Sequence, residues 1–391
     1  MPDSLMSTYG RLPVSFVRGE GAYLFDEKDD RYLDALAGIA VCSVGHAHPQ
    51  IADAIAEQAR TLVHTSNVYG IPHQAELGAK LCELSGMDKV FFGNSGAEAN
   101  EAAIKLARLY GKKKGIENAK IIVMSGSFHG RTLATLSATG SRKVQAGFSP
   151  LVEGFIRVPY NDIEAIEKIA KNSSDIVAVL VEPVQGEGGI IVPDMCYLCK
   201  IRDLCDDNDW LMMLDEVQTG IGRTGEWFAF KHKKIMPDVM SLAKALGNGV
   251  PIGACLAAGK ASEILSAGTH GSTFGGNPLV TRVALEVLDI IEKQNLVENA
   301  KNMGDYLVQQ FEEQFADVEG VKHIRGLGLM IGIELDRDCG ELVKAALDNK
   351  LLINVTAGKV IRLLPPIIIT QDQADEIVRI IVKITKEFLS D

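Results

Sequence analysis

Short, mostly apolar runs of four to six residues recur through the middle of this chain and constrain its fold more than any other feature. They stand at Lys89–Phe92, Lys120–Met124, Val177–Val181, Leu211–Leu214, Val239–Leu242 and Ile252–Ala257. A strand that alternates apolar and polar residues can leave one face in water. A nearly continuous apolar run needs both faces covered. Longer amphipathic stretches at helical spacing lie between many of the runs, such as Glu98–Tyr110 and Asp162–Lys171. The combination predicts a doubly wound α/β unit, a mostly parallel sheet with helices on both faces. Ligands of such sheets collect at the carboxyl ends of the strands. The loops that follow the runs are therefore where chemistry is expected.

The flanks read differently. Gly19–Asp26 has the pattern of a short strand and turn, and Pro49–Thr61 that of a helix. After a long helix at Leu279–Lys293 the order becomes helix, strand, helix, strand, helix. It closes on the amphipathic stretch Asp372–Phe388. This predicts a smaller α+β unit over 288–391 beside a large α/β unit over 46–287.

Charge and cysteine content narrow the function. Among 391 residues, 40 Lys and Arg face 51 Asp and Glu, a net charge of −11. That speaks against nucleic acid or an anionic membrane surface as the main partner. No run approaches the roughly 20 apolar residues of a spanning helix. Met1–Gly19 lacks a basic segment followed by an apolar one, so no secretory signal is expected. Seven cysteines, an odd number, read as reduced thiols of a cytoplasmic protein. Cys196 and Cys199 form a CxxC, but no second ligand pair stands at a matching spacing, so they are read as structural thiols. His46 and His48 lack acidic or thiol companions at a spacing useful for metal binding and read as a turn before a helix. No metal site is expected.

Three loops carry candidate chemistry. In Phe92-Gly93-Asn94-Ser95-Gly96-Ala97-Glu98 a strand ends, small residues follow and a helix begins. Free N–H groups at the positive end of a helix make a phosphate seat, although a capped helix after a tight turn has the same look. In Leu214-Asp215-Glu216-Val217-Gln218 a carboxylate stands where a buried strand ends. Buried, it needs a cationic or donor partner, which a protonated heterocycle or a salt bridge would supply equally. In Leu242-Ala243-Lys244-Ala245-Leu246-Gly247 a lysine follows an apolar strand. Apolar surroundings lower an amine's pKa and make it a nucleophile, although a lysine that snorkels to water fits the same pattern. Neither a P-loop nor a dinucleotide fingerprint is present. Taken together, a phosphate seat, a carboxylate and a lysine are the set that pyridoxal phosphate requires.

On these residues the chain resembles the class III, ornithine/acetylornithine type, pyridoxal-phosphate-dependent aminotransferases of fold type I. The likeness extends over essentially the whole length. It also rests on Gly45-His46-Ala47-His48-Pro49, Ser127-Phe128-His129-Gly130-Arg131-Thr132, Glu182-Pro183-Val184-Gln185-Gly186-Glu187-Gly188-Gly189, Gly222-Arg223-Thr224-Gly225 and Gly271-Ser272-Thr273-Phe274-Gly275-Gly276-Asn277-Pro278. The resemblance implies a seven-stranded-type sheet in the large unit, with residues 1–45 joining the small unit and the contacts between copies. It implies Lys244 as the Schiff-base lysine and proton carrier, and Asp215 as the partner of the pyridinium nitrogen. Val217 and Phe128 would pack on the two ring faces, and Gln218 would lie near the phenolic oxygen. Ser95, Gly96 and Ala97 would hold the phosphate. Thr273 would reach the cofactor of a second copy, in a homodimer with shared sites, and Ser272 would lie beside the substrate.

The resemblance also implies that Arg131 binds the α-carboxylate of N2-acetylornithine and the distal carboxylate of 2-oxoglutarate. Arg362 would take the α-carboxylate of glutamate or 2-oxoglutarate, and Glu187 would neutralise Arg362 while the amino donor is bound. His129 receives no catalytic role. The implied reaction yields N-acetylglutamate 5-semialdehyde and glutamate, a step of arginine biosynthesis. Other ω-amino donors (succinyldiaminopimelate, ornithine, 4-aminobutyrate) are the near alternatives. An aminomutase of the same fold is a further one, against which the Arg131, Glu187 and Arg362 trio speaks.

Overall fold

The computed structural model describes residues 4–390. Near the N-terminus β1 (Phe16–Glu20), β2 (Tyr23–Asp26) and β3 (Arg31–Asp34) form an antiparallel ribbon. The β1–β2 turn passes through Gly21, at φ +57°, a left-handed conformation that glycine adopts without strain.

The large sheet takes β4 (Lys89–Gly93), β5 (Lys120–Met124), β6 (Phe155–Val158), β7 (Ile176–Val181), β8 (Leu211–Asp215), β9 (Val239–Leu242) and β10 (Gly253–Ala257). Their order is β4-β10-β9-β8-β7-β5-β6. The four pairs from β9 to β6 are parallel, and β10 runs against both of its neighbours. Each of the six apolar runs is a strand here. The alternation of side chains puts Ile122, Met124, Met212 and Leu214 in one apolar layer and Ile121, Val123, Leu211 and Met213 in another. Helix Gly96–Lys113 supplies Ala102, Ala103, Leu106 and Tyr110 to the second layer. Helices Tyr197–Asp207 and Pro278–Lys293 pack into the first. The doubly covered sheet is thus the reason for the unbroken apolar runs.

The sheet's edge strand β6 has no counterpart among those runs. Its first three residues are half-buried or exposed, and Arg157 bonds outward to the carbonyls of Ser137 and Thr139, both at 2.9 Å. A strand with one paired edge and a polar residue in four carries little apolar signal.

The C-terminal part holds β11 (Val321–Leu327), β12 (Met330–Leu335), β13 (Leu351–Leu352), β14 (Asn354–Thr356) and β15 (Val360–Leu363). Four of them form an antiparallel sheet in the order β11-β12-β15-β14, while β13 joins the N-terminal ribbon in parallel beside β3. Helices Leu296–Phe315 and Gln371–Ser390 pack against each other beside the C-terminal sheet. The carboxyl ends of β8 and β9, the start of β10 and the edge of the C-terminal sheet all face one region.

Candidate active site

At the end of β4 the extended residue Ser95 caps helix Gly96–Lys113, its Oγ accepting from the Glu98 N–H at 3.2 Å. The Glu98 carboxylate turns back to take the Asn94 backbone N–H at 2.5 Å and the Asn94 amide at 2.8 Å. This is the reciprocal logic of a capping box, reaching one residue further back. The N–H groups of Gly96 and Ala97 find no acceptor among the described residues and stand at the positive end of an 18-residue helix. Space here is tight. A Cβ on Gly96 would meet Val217 at 2.7 Å, and one on Gly253 of β10 would meet the Ser95 carbonyl at 2.2 Å.

Asp215 ends β8 and is 4% exposed. Its Oδ2 accepts from Asn100 Nδ2 and His129 Nδ1, both at 2.7 Å, and its Oδ1 from the Val217 N–H at 3.1 Å. The next residue, Glu216, turns away. It takes the N–H groups of Ala229 and Phe230 and the Thr219 hydroxyl, and burial pushes its carboxyl up to about 7. Only one carboxylate of the pair therefore serves the cleft.

His129 is a site residue that sequence reasoning passed over. Burial opposes a charge on its ring, but the Asp215 carboxylate outweighs this and raises its pKa. Its only signal in the sequence is its place between Phe128 and Gly130. The 86 residues between it and Asp215 are closed by the sheet alone. Glu182, at the end of β7, is another. It lines the cleft, takes the Phe128 and Gly186 N–H groups at 3.1 and 3.4 Å, and is pushed up to about 8 by burial.

Lys244 follows β9 at φ +47°, a left-handed conformation costly for a side-chain-bearing residue. Burial, with the Arg362 guanidinium adding to it, lowers its ammonium to about 8. Ala245 lies buried in the single turn Lys244–Leu246 and has no left-handed backbone.

These elements enclose a cleft of about 380 Å³. Of the residues singled out in the sequence, Ser95, Gly96, Ala97, Phe128, Arg131, Glu187, Asp215, Val217, Gln218 and Lys244 line it. Arg131 is exposed, its guanidinium 5.2 Å from the Phe128 ring centre, with no carboxylate partner among the described residues. Arg362 on β15 is only 1% exposed and reaches the cleft through Glu187, Nη1 to Oε1 at 2.6 Å. Ser272 sits one contact away, its Oγ accepting from Asn94 Nδ2 at 3.2 Å. Thr273 lies outside the cleft on an exposed loop.

A family model described as aminotransferase class-III matches residues 6–385. The chain belongs to that family. Among relatives of this aminotransferase, the acetylornithine aminotransferase of Nitrosomonas europaea is 58% identical over 96% of this chain and 95% of that protein. The one from Methanocaldococcus jannaschii is 48% identical over 95% and 94%. Solved structures agree. The acetylornithine aminotransferase of Elizabethkingia anophelis superposes with a TM-score of 0.89 at 39% identity, covering 98% of this chain and 96% of that one. The ornithine aminotransferase of Toxoplasma gondii reaches 0.95 at 34%, over 98% and 93%.

Class III aminotransferases depend on pyridoxal phosphate, and the residues present fit that group. Three residues that line the cleft carry buried polar atoms with no partner among the described residues, namely His129 Nε2, Asn100 Oδ1 and Gln218 Oε1. The two open N–H groups of Gly96 and Ala97 offer the donors a phosphate needs. Among the described residues no cluster of His, Cys, Asp and Glu is arranged to hold a metal, and no helix is long and apolar enough to cross a membrane.

Proposed function

We propose that this aminotransferase moves the terminal amino group of N2-acetylornithine to 2-oxoglutarate, in two half-reactions that share one pocket. The observation that carries the reading is the pairing of the buried Arg362 with the half-exposed Glu187 at 2.6 Å, in the same cleft as the unpaired Arg131. Two guanidiniums suit a dicarboxylate, each able to clamp a carboxylate through two parallel hydrogen bonds. With Glu187 covering Arg362, one guanidinium remains for a donor with a single carboxylate.

The acid inventory supports an N-acylated donor. The carboxylates that line the cleft are Glu182, Glu187 and Asp215, and each already has donors of its own. A free α-ammonium beside Arg131 would find no counter-charge among them, whereas an acetamide needs none. The relatives named acetylornithine aminotransferase, at 46–58% identity, support the same donor.

In this reading Ser95, Gly96 and Ala97 hold the phosphate of pyridoxal phosphate. Val217 and Phe128, which line the cleft, would cover the ring faces, and Gln218 would lie by the phenolic oxygen. Asp215, oriented by Asn100 and His129, holds the positive charge of the ring nitrogen. When bound, the cofactor supplies an electron sink for the substrate carbon that loses a proton. Lys244 would hold the cofactor, and its amine would take that proton from the substrate carbon and return it. A pKa near 8 leaves it able to do both near neutrality. Arg131 orients the donor through its α-carboxylate.

The exposed loop bearing Ser272, Thr273 and Phe274, the last 60% exposed, supports a homodimer in which Thr273 serves the second copy's cofactor. Exposed Val68 and Tyr69 extend this apolar face, and Asn67 Nδ2 ties it to the Ser272 carbonyl at 3.0 Å. The reading makes the enzyme a cytoplasmic one acting in arginine biosynthesis. Its test is the visible spectrum of the holoenzyme titrated with N2-acetylornithine without keto acid. The expected result is loss of the yellow band and its return with 2-oxoglutarate. Bleaching by ornithine or 4-aminobutyrate at far lower concentrations would replace the donor.

A further inference from the structure

The Arg362–Glu187 pair is held by two residues of β14 to which nothing above assigns a role. On paired antiparallel strands, directly opposed residues project on the same face. Asn354 opposes Arg362 in the β14–β15 register, and its Oδ1 accepts from Arg362 Nε at 3.0 Å. On the other side of β15 the residue opposite Arg362 is Gly332, so the guanidinium has a polar cross-strand neighbour on one side only. Two positions along β14, the Thr356 hydroxyl donates to the Glu187 backbone carbonyl at 2.6 Å. The following backbone is tethered as well. Arg325 donates to the carbonyls of Gly189 and Ile190 at 2.6 and 2.8 Å, and its own charge is met by Glu334 at 2.7 Å. Glu187 thus has a pinned backbone and a side chain that is 40% exposed.

We infer that Asn354 and Thr356 are positioning residues that make the exchange of Glu187 for a substrate carboxylate a side-chain rotation on a fixed backbone. Asn354 keeps the Nε–H of Arg362 engaged. The guanidinium therefore stays hydrogen-bonded when Glu187 leaves, and an incoming carboxylate must dock end-on across Nη1 and Nη2. Thr356 holds Glu187 where its carboxylate returns to Arg362 once the keto acid has gone. The two residues push selectivity in opposite directions: Asn354 favours the dicarboxylate, and Thr356 favours the donor with one carboxylate. This rests on the reading of Arg362 and Glu187 given above.

The test uses holoenzyme variants, both half-reactions followed separately by absorbance, and the dissociation constant of glutarate, a dicarboxylate that cannot react. N354L is expected to raise the half-saturating 2-oxoglutarate and the glutarate dissociation constant ~10-fold or more, the worth of one hydrogen bond to a charged group. Half-saturation by N2-acetylornithine should stay within about 2-fold on the same argument. N354D keeps an acceptor but neutralises Arg362, and should bind glutarate more weakly than N354L. T356V should raise half-saturation for N2-acetylornithine without raising it for 2-oxoglutarate, and T356S should restore it.

Equal weakening of both substrates, or no change in either, overturns the inference. R362K separates its failure from that of the parent reading. If R362K leaves glutarate binding unchanged, the role of Arg362 falls and the inference with it. If R362K weakens glutarate and N354L does not, only the inference falls.

Discussion

The two ends of the cleft are built on opposite principles. At the floor, Asp215 is almost fully buried and meets three donors at 2.7–3.1 Å, with His129 and Asn100 held behind it. At the mouth, Arg131 has no carboxylate partner among the described residues, and Arg362 is met by a carboxylate that is 40% exposed. In the proposed function the floor would face the same group in both half-reactions, so every contact there can be permanent. The mouth would have to release one ligand and take another. Arg362 is itself buried, so its half-exposed partner can leave only if an incoming carboxylate replaces it, because a buried guanidinium left unpaired is costly. Rigid and exchangeable electrostatics thus sit in one cavity, separated by what holds each charge.

Three experiments, four substitutions in all, would break or sharpen that contrast. The largest effect belongs to Lys244→Ala, which removes the group proposed to carry the proton. Turnover is expected to fall at least ~10³-fold, measured as the single-turnover rate with N2-acetylornithine. A loss under about tenfold would place the chemistry elsewhere and dissolve the distinction.

Next comes a paired measurement at the two ends. Asp215→Asn keeps the shape and removes the charge, and should lower kcat by ~10²-fold with a modest change in KM. Arg131→Lys should do the reverse, raising KM for both substrates by roughly tenfold while most of kcat remains. If both variants moved the same parameter, floor and mouth would not be separable functions.

The smallest effect is one of stability. His46 Nε2 lies 2.8 Å from Asp34 Oδ2, behind the turn that brings Val41 to the cleft. Burial opposes the charge on His46, but Asp34, helped by Cys42, outweighs it and raises the ring to about 9. The folded state then holds a proton that the unfolded chain releases near pH 6.5. The contribution is complete below that pH and fades as pH rises through about 9. His46→Gln should therefore lower Tm by a few degrees at pH 6 and by almost nothing at pH 10. An equal loss at both pH values would show that packing, not charge, matters there.

Much of the floor was legible in the sequence, because each of its parts is a local pattern. An apolar run followed by small residues and a helix start marks Ser95–Ala97, and a carboxylate or lysine just past an apolar run marks Asp215 and Lys244. The strand end itself delivers these groups to a common edge. His129 and Glu182 escaped notice because their importance comes from facing Asp215 and the Phe128 N–H, residues 86 and 54 positions away. Edge strand β6 escaped because a half-exposed strand lacks the apolar run that marked the others. His46 was read as part of a turn, and only the fold brings Asp34 to it across 12 residues.

The sequence by itself determined the layered α/β architecture, since unbroken apolar runs need both faces covered and the amphipathic helical stretches between them supply the cover. It also determined which loops could carry chemistry, since strand ends and helix starts are written in short-range order. The tertiary structure alone decided how charge is distributed across the cleft. Asp215 is oriented by His129, Lys244 is brought down to about 8 by burial and by Arg362, and Arg362 is shared between Glu187 and Asn354. The physical reason is that electrostatic energies depend on distance and burial, which residues from two different sheets and the loops between them acquire only once the chain has closed on itself.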